Sequence, residues 1–214
     1  MPRITSEQRS SNREQIVAAA RRCFARQGFH NTSMPDIAAE AGLSTGAPYR
    51  YFTGKQELIV EVATRAFAAV FAPVLRIIEE TETITIVDVV TAAVQSHLPT
   101  GSANSTHDRE ADEELLRCGV AAWAELLHNA DLHEHAVNGF TRVTDDIAQA
   151  LHRTHDTGQF TQVANDEANA RVIVALLHGF MIQRVAFGLT DLEAGDPNTL
   201  AAITRSGTTS DKTL

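Results

Sequence analysis

Residues 33–52 read Ser-Met-Pro-Asp-Ile-Ala-Ala-Glu-Ala-Gly-Leu-Ser-Thr-Gly-Ala-Pro-Tyr-Arg-Tyr-Phe. The pattern is that of two short helices joined by one tight turn. Ser33 is a good N-cap, and Asp36 follows three residues later in the manner of a capping box. Pro35 falls in the first turn, where a missing N–H costs little. Ile37, Ala38 and Ala41 supply an apolar face, and Gly42 can take the positive φ that ends a helix. Leu43 follows as an apolar plug, and Ser44 is placed to cap a second helix carrying Ala47, Pro48, Tyr49, Arg50, Tyr51 and Phe52. A small residue on the first helix and a Gly in the turn let two helices cross closely at a wide angle. This is helix-turn-helix spacing, and its second helix can enter a DNA major groove.

Outward from that stretch, the chain has 214 residues, enough for one or two domains with a sizeable core. Apolar residues recur at helical spacing, so an all-α fold is expected, with Thr83 to Val90 the one β-branched segment that invites hesitation. Apolar runs of transmembrane length and a signal-peptide core are not expected, and no membrane partner is implied. Cys23 and Cys118 sit among apolar helical neighbours and read as reduced core residues of a cytoplasmic protein. The net charge of −9 argues against a nucleic-acid binder, but its distribution reverses that. Residues 1–55 hold eight bases and four acids, a net of +4, whereas the remainder holds ten bases and 23 acids, a net of −13. A basic head on an acidic body suits a protein that meets phosphate at one end.

Residues 1–11 read as a mobile polar arm, with Arg3 and Arg9 able to reach a minor groove. A first helix is expected from Asn12, as cap, to Gln27, with Arg13, Arg21, Arg22 and Arg26 on its outer faces. A long helix is expected from Lys55 to Thr81, kinked or divided by Pro73. Further helices are expected over 84–97, 109–129, 131–157, 166–188 and 197–205, with a loop at 100–106 and a polar tail from Ser206. The helix at 166–188 is apolar nearly all round and invites a second subunit through Val172, Leu176, Phe180 and Gln183. The domain boundary falls near Gly54. It divides a helix-turn-helix head (1–54) from a helical body (55–206), with a disordered tail at 207–214.

The residues that define the head are Ile16 to Phe24, Gly28-Phe29, Thr32-Ser33-Met34, Ile37-Ala38, Ala41-Gly42-Leu43-Ser44, Gly46, Tyr49, Tyr51-Phe52, Lys55 and Glu57-Leu58. Over about residues 12–65 this set resembles the tetracycline-repressor-like (TetR) family of transcriptional regulators; beyond residue 65 the resemblance is architectural. Pro48 departs from the Leu, Val or Ile common there and is expected to stiffen the recognition helix. The resemblance implies an all-helical homodimer whose N-terminal domain binds a palindromic operator. Its C-terminal domain would enclose a small effector and form the dimer interface. Effector binding would move the helix that begins at Lys55, spread the two heads and release DNA. Carried over by position, the implied DNA contacts are Ser33, Ser44, Thr45, Gly46, Tyr49, Arg50, Tyr51 and Lys55.

The chemistry fits those positions. Lys55 at a helix start favours a phosphate oxygen, against an alternative of plain solvation. Ser44 and Thr45 offer hydroxyls to phosphate or base edges, or cap the second helix. Gly46 permits close approach of the backbone. Tyr49 and Tyr51 offer hydroxyl and ring, with core packing the alternative. Arg50 can read guanine bidentately or hold a phosphate. For an effector site the candidates are Phe67, Phe71, His97, Trp123, Leu126 and His178, each also explicable as core. Their apolar character favours a hydrophobic or amphipathic effector. His128, His133 and His135 cluster, as do His152 and His155, yet without paired Cys or His-Glu-x-x-His spacing no metal or other cofactor is implied. No nucleophile–base set or phosphate loop suggests an enzyme. Rival readings are an effector-independent DNA-bound scaffold for a protein partner, and an activator.

Overall fold

The computed structural model describes residues 5–82, 84, 88–89, 106–156 and 165–188. Among these residues six α-helices and one 3₁₀ turn have described bounds, α1 (Ser6–Gln27), α2 (Met34–Glu40), the 3₁₀ turn Pro48–Arg50, α3 (Lys55–Glu80), α4 (Thr106–Glu125), α5 (Ala130–Asp156) and α6 (Asp166–Phe187), and Asp88 and Val89 are also helical. The expected helix at 197–205 lies outside the described residues, as do most of the helix expected at 84–97 and all of the loop expected at 100–106 except Thr106, which is helical.

Helix α1 begins six residues earlier than expected. Thr5 caps it, its hydroxyl accepting from Gln8 N at 3.2 Å, and Glu7 sits in the first turn where the helix dipole favours a carboxylate. The polar stretch after Thr5 is thus helix rather than arm, and Asn12 lies inside it rather than capping it. Ile16, Val17, Ala19, Ala20, Cys23 and Phe24 form its buried face. Gly28, at φ 80°, ends it, and the Phe29 ring packs edge-on to Phe24 with centroids 4.9 Å apart. Helix α2 carries the expected capping box: Ser33 Oγ accepts from Asp36 N, and the Asp36 carboxylate accepts from Ser33 N at 2.9 Å. It closes in a Schellman motif, with Leu43 N donating to Ala38 O and Gly42 N to Ala39 O, while Gly42 sits at φ 66°.

The second helix of the motif is shorter than expected. Between Ser44 and Phe52 only Pro48–Arg50 is helical, as a 3₁₀ turn with no side-chain cap. Pro48 supplies the reason. It has no N–H to bond Ser44 O, which instead accepts from Ala47 N at 2.8 Å, and the segment winds on i→i+3 bonds from Arg50 N and Tyr51 N. The Pro48 ring is buried, so it serves as the apolar plug while its missing N–H falls at the start of the turn.

Helix α3 runs unbroken from Lys55 to Glu80 with Pro73 inside it, so the proline does not divide the helix. By length and composition α3 and α6 are each apolar enough to cross a bilayer, a correction to the expectation of no such run. In α3 much of that apolarity is buried, at Leu58, Ile59, Val62, Ala63, Ala66, Val70, Phe71 and Val74. Helix α4 starts at Thr106 and ends at Glu125, four residues before Asn129. Asn129 belongs to the next helix as its cap, accepting from Leu132 N at 2.9 Å. Asn165 caps α6 in the same way, and Gly188 ends α6 in the left-handed region at φ 67°.

By packing, the chain divides into two compact units, residues 1–69 with 104–139 and residues 70–103 with 140–214. The first unit has its core in α1, α2, Phe52 and the start of α3, joined by Cys118 and Ala122 of α4 and Leu132 of α5. In the second unit Val70, Phe71, Val74, Val143, Ile147, Ala150, Leu151, Ile173, Val174, Leu177 and Met181 are buried.

Candidate nucleic-acid interface

Ser44, Thr45, Gly46, Tyr49 and Arg50 form one exposed stretch around the 3₁₀ turn. Tyr49 is 56% exposed, which leaves its ring and hydroxyl clear of the core. Tyr51 is half-buried against the head core, and its oxygen accepts from Asn12 Nδ2 at 3.0 Å. Ser33 is exposed, but its hydroxyl donates to the Asp36 carboxylate at 2.5 Å. Those contacts from the Ser33 hydroxyl and backbone hold the Asp36 carboxyl below its ordinary range. The Lys55 ammonium donates to Phe29 O at 2.9 Å and to His30 O at 3.4 Å, so it fastens the α1–α2 loop to the start of α3. The His30 ring in turn lies 2.9 Å from the buried Glu125 carboxylate of α4.

The head arginines lie off the buried face of α1 as expected, Arg26 exposed and Arg13, Arg21 and Arg22 half-buried, but each is engaged in an ion pair. Arg13 makes a bidentate pair with Glu61, Arg21 pairs with Glu114 at 3.0 Å, and Arg22 and Arg26 share Glu40 at 2.6 and 3.1 Å. Arg65 bridges Glu14 and Glu61, and the Arg13 guanidinium also lies 4.9 Å over the Phe52 ring. The Arg65 guanidinium pulls the Glu14 carboxyl below its ordinary range, Arg13 does the same to Glu61, and Arg22 and then Arg26 to Glu40. Among the described bases of the head, Arg9 and Arg50 remain exposed outside these pairs. The sequence did not reveal this, because every one of these pairs but Arg65–Glu61 joins residues on different helices.

The candidate effector residues divide. Phe71 and His178 come together with Phe140: the His178 ring lies 5.6 Å from Phe71 and 4.8 Å from Phe140. Burial among these rings pushes the His178 imidazole down to about 4. Phe140 was missed, although it sits at helical spacing between the buried Ala136 and Val143. Phe67 and Leu126 pack against the head core instead, Trp123 is half-buried, and His97 lies outside the described residues. An open cleft of about 350 Å³ in the first unit is lined by Arg22, Ala25, Arg26, Glu110, Glu113, Glu114 and Arg117, none of them a candidate. Among the described residues no cluster of His, Cys, Asp or Glu could hold a metal. On α6, Val172 and Leu176 are exposed, and Phe180 and Gln183 are half-buried.

The capped, Gly-turned helix pair with an exposed recognition turn defines a helix-turn-helix DNA-binding regulator. Residues 16–62 match the family model described as bacterial regulatory proteins, tetR family, and residues 102–206 match that of the BetI-type transcriptional repressor, C-terminal. The chain belongs to the TetR family of transcriptional regulators. It is 26% identical over 184 residues to the HTH-type transcriptional regulator UidR of Escherichia coli K12, a match spanning 86% of this chain and 83% of that protein. Its fold is similar to that of Salmonella enterica GusR, with a TM-score of 0.71, 22% identity, and coverage of 94% of this chain and 96% of that one. It is also similar to SmeT, the repressor of the Stenotrophomonas maltophilia multidrug efflux pump SmeDEF, with a TM-score of 0.62, 26% identity and coverage of 89% of each chain.

Proposed function

We propose that the chain is a cytoplasmic repressor that binds a palindromic operator as a homodimer and is released by a small apolar or amphipathic effector. The observation that carries this is the exposure of Ser44, Thr45, Gly46, Tyr49 and Arg50 around the 3₁₀ turn, rich in hydrogen-bond donors, in a chain whose remaining residues carry strongly negative charge. Ser44, Thr45 and Tyr49 hold hydroxyl donors suited to phosphates, and Arg50 reads a base edge or a phosphate. Gly46 brings the backbone close. Ser33, Tyr51 and Lys55 complete the contact set, each anchored within the head by the bonds described above.

The homodimer reading rests on α6. Val172, Leu176, Phe180, Gln183 and Phe187 fall on one stripe at spacings of three and four, with Val172 58% and Phe187 69% exposed. Two copies meeting along this stripe would present two heads to a twofold operator. The effector reading rests on the Phe71, Phe140 and His178 rings in the body, with residues 55–206 as its domain. SmeT, a fold relative, is described in complex with triclosan, which accords with an apolar effector here.

The test is to select fragments bound by the full chain from the source genome, then to screen small molecules for release. A palindromic fragment released by an apolar compound is the expected result. Failure to retain any palindromic DNA would overturn the reading; retention without release by any compound would favour the effector-independent scaffold.

A further inference from the structure

A tyrosine hydroxyl has one proton to donate and lone pairs to accept with. In the head, the Tyr51 oxygen accepts from Asn12 Nδ2 at 3.0 Å. Asn12 is itself oriented by its neighbour one turn earlier on α1, since Gln8 Nε2 donates to Asn12 Oδ1 at 3.4 Å. With its carbonyl turned to Gln8, the carboxamide presents its NH₂ to the phenol. The Tyr51 proton is therefore not consumed inside the head. The ring packs half-buried against the head core, which leaves rotation about the C–O bond as the main freedom of the hydroxyl. A bond accepted at the oxygen restricts that rotation and strengthens the O–H as a donor. Asparagine is a poor helix former, and Asn12 does not cap α1, so its place here is accounted for by this contact.

We propose that Asn12 is a positioning residue for operator recognition: by donating to the Tyr51 oxygen it aims the phenolic proton outward, at a DNA phosphate. The proposal rests on the reading of Tyr51 as a DNA contact. Gln8 supports it by fixing which end of the Asn12 amide faces the ring.

The test is a double-mutant cycle with Asn12→Ala and Tyr51→Phe in the full chain. Affinity is measured for a double-stranded fragment that the wild type retains from genomic DNA, at temperatures where circular dichroism finds every variant folded. Each single change is expected to weaken binding about tenfold to a hundredfold, because the dimer loses one hydrogen bond, worth about threefold to tenfold, in each of its two heads. The double variant should bind no more weakly than Tyr51→Phe alone, and the salt dependence should not change, because no cation is removed. Asn12→Asp adds a second readout. Its carboxylate can only accept, so it draws the Tyr51 proton inward, and it should weaken binding more in the wild type than in the Tyr51→Phe background. An Asn12→Ala loss of equal size in both backgrounds would mean a purely structural role and would overturn the proposal. So would a Tyr51→Phe variant that binds like the wild type. If the wild type retains no DNA at all, the DNA reading itself fails.

Discussion

Arg50 and Lys55 lie five residues apart, yet they are held in different ways. Arg50 is exposed and outside every ion pair of the head, whereas Lys55 already holds the Phe29 and His30 carbonyls. Arg50→Ala should therefore leave the thermal midpoint unchanged and relax sequence preference by about 1–3 kcal/mol. Lys55→Ala should weaken binding evenly on operator and random DNA and also lower the midpoint, since the part-buried Phe29 carbonyl loses a charged donor. Titrations on both DNAs, with melting curves, check this; equal losses on both DNAs for both variants would sink the distinction. His178 is a different case. Its ring is 6% exposed among Phe71 and Phe140, and its folded value is pushed down to about 4. The unfolded chain takes up a proton near 6.5 that the folded one refuses until about 4, so stability is lost as pH falls between those values. The full loss is about 3 kcal/mol by linkage. Denaturant midpoints at pH 7 and pH 4.5 should fall less in His178→Phe than in the wild type.

The helices themselves were mostly legible, because apolar residues at helical spacing and capping residues such as Ser33, Gly42 and Gly188 act locally. The departures came where periodicity carried no information. Before Asn12 the chain is polar, and its helicity depends on the Thr5 cap, on the Gln8–Asn12 side-chain bond and on Asn12 reaching Tyr51. Around Pro48 the apolar pattern continues while the backbone donor is missing, and the ladder shifts to i→i+3. In α6 the all-round apolarity resolves into two faces. Ile173, Val174, Leu177 and Met181 are buried, whereas Val172 and Leu176 look outward. Val172→Glu with Leu176→Glu should thus give folded monomers with weakened operator binding, while Ile173→Glu should unfold the unit. Sedimentation velocity with circular dichroism separates the cases. Unchanged sedimentation of the double variant would remove α6 from the interface.

Over the whole molecule, a count of charges along the chain suggested a head carrying eight bases toward DNA. Tertiary structure redistributes them, since Arg13, Arg21, Arg22 and Arg26 are turned onto Glu61, Glu114 and Glu40, partners that lie 14 to 93 residues away. These pairs hold α1 against α2, α3 and α4 and are not available to phosphates unless they open. Arg9, Arg50 and Lys55 are the described head bases left for DNA, about six cations in a dimer, and the log-log slope of affinity against salt should be about −5. Were the four paired arginines to swing onto phosphates as well, the slope would approach −13. Operator titrations between 50 and 200 mM salt, a range that resolves such slopes, distinguish the two. A steep slope would mean that the internal pairs exchange their carboxylates for DNA on binding. A shallow one would mean that specificity rests on neutral donors such as Ser44, Thr45 and Tyr51, with the acidic body suppressing binding to random DNA.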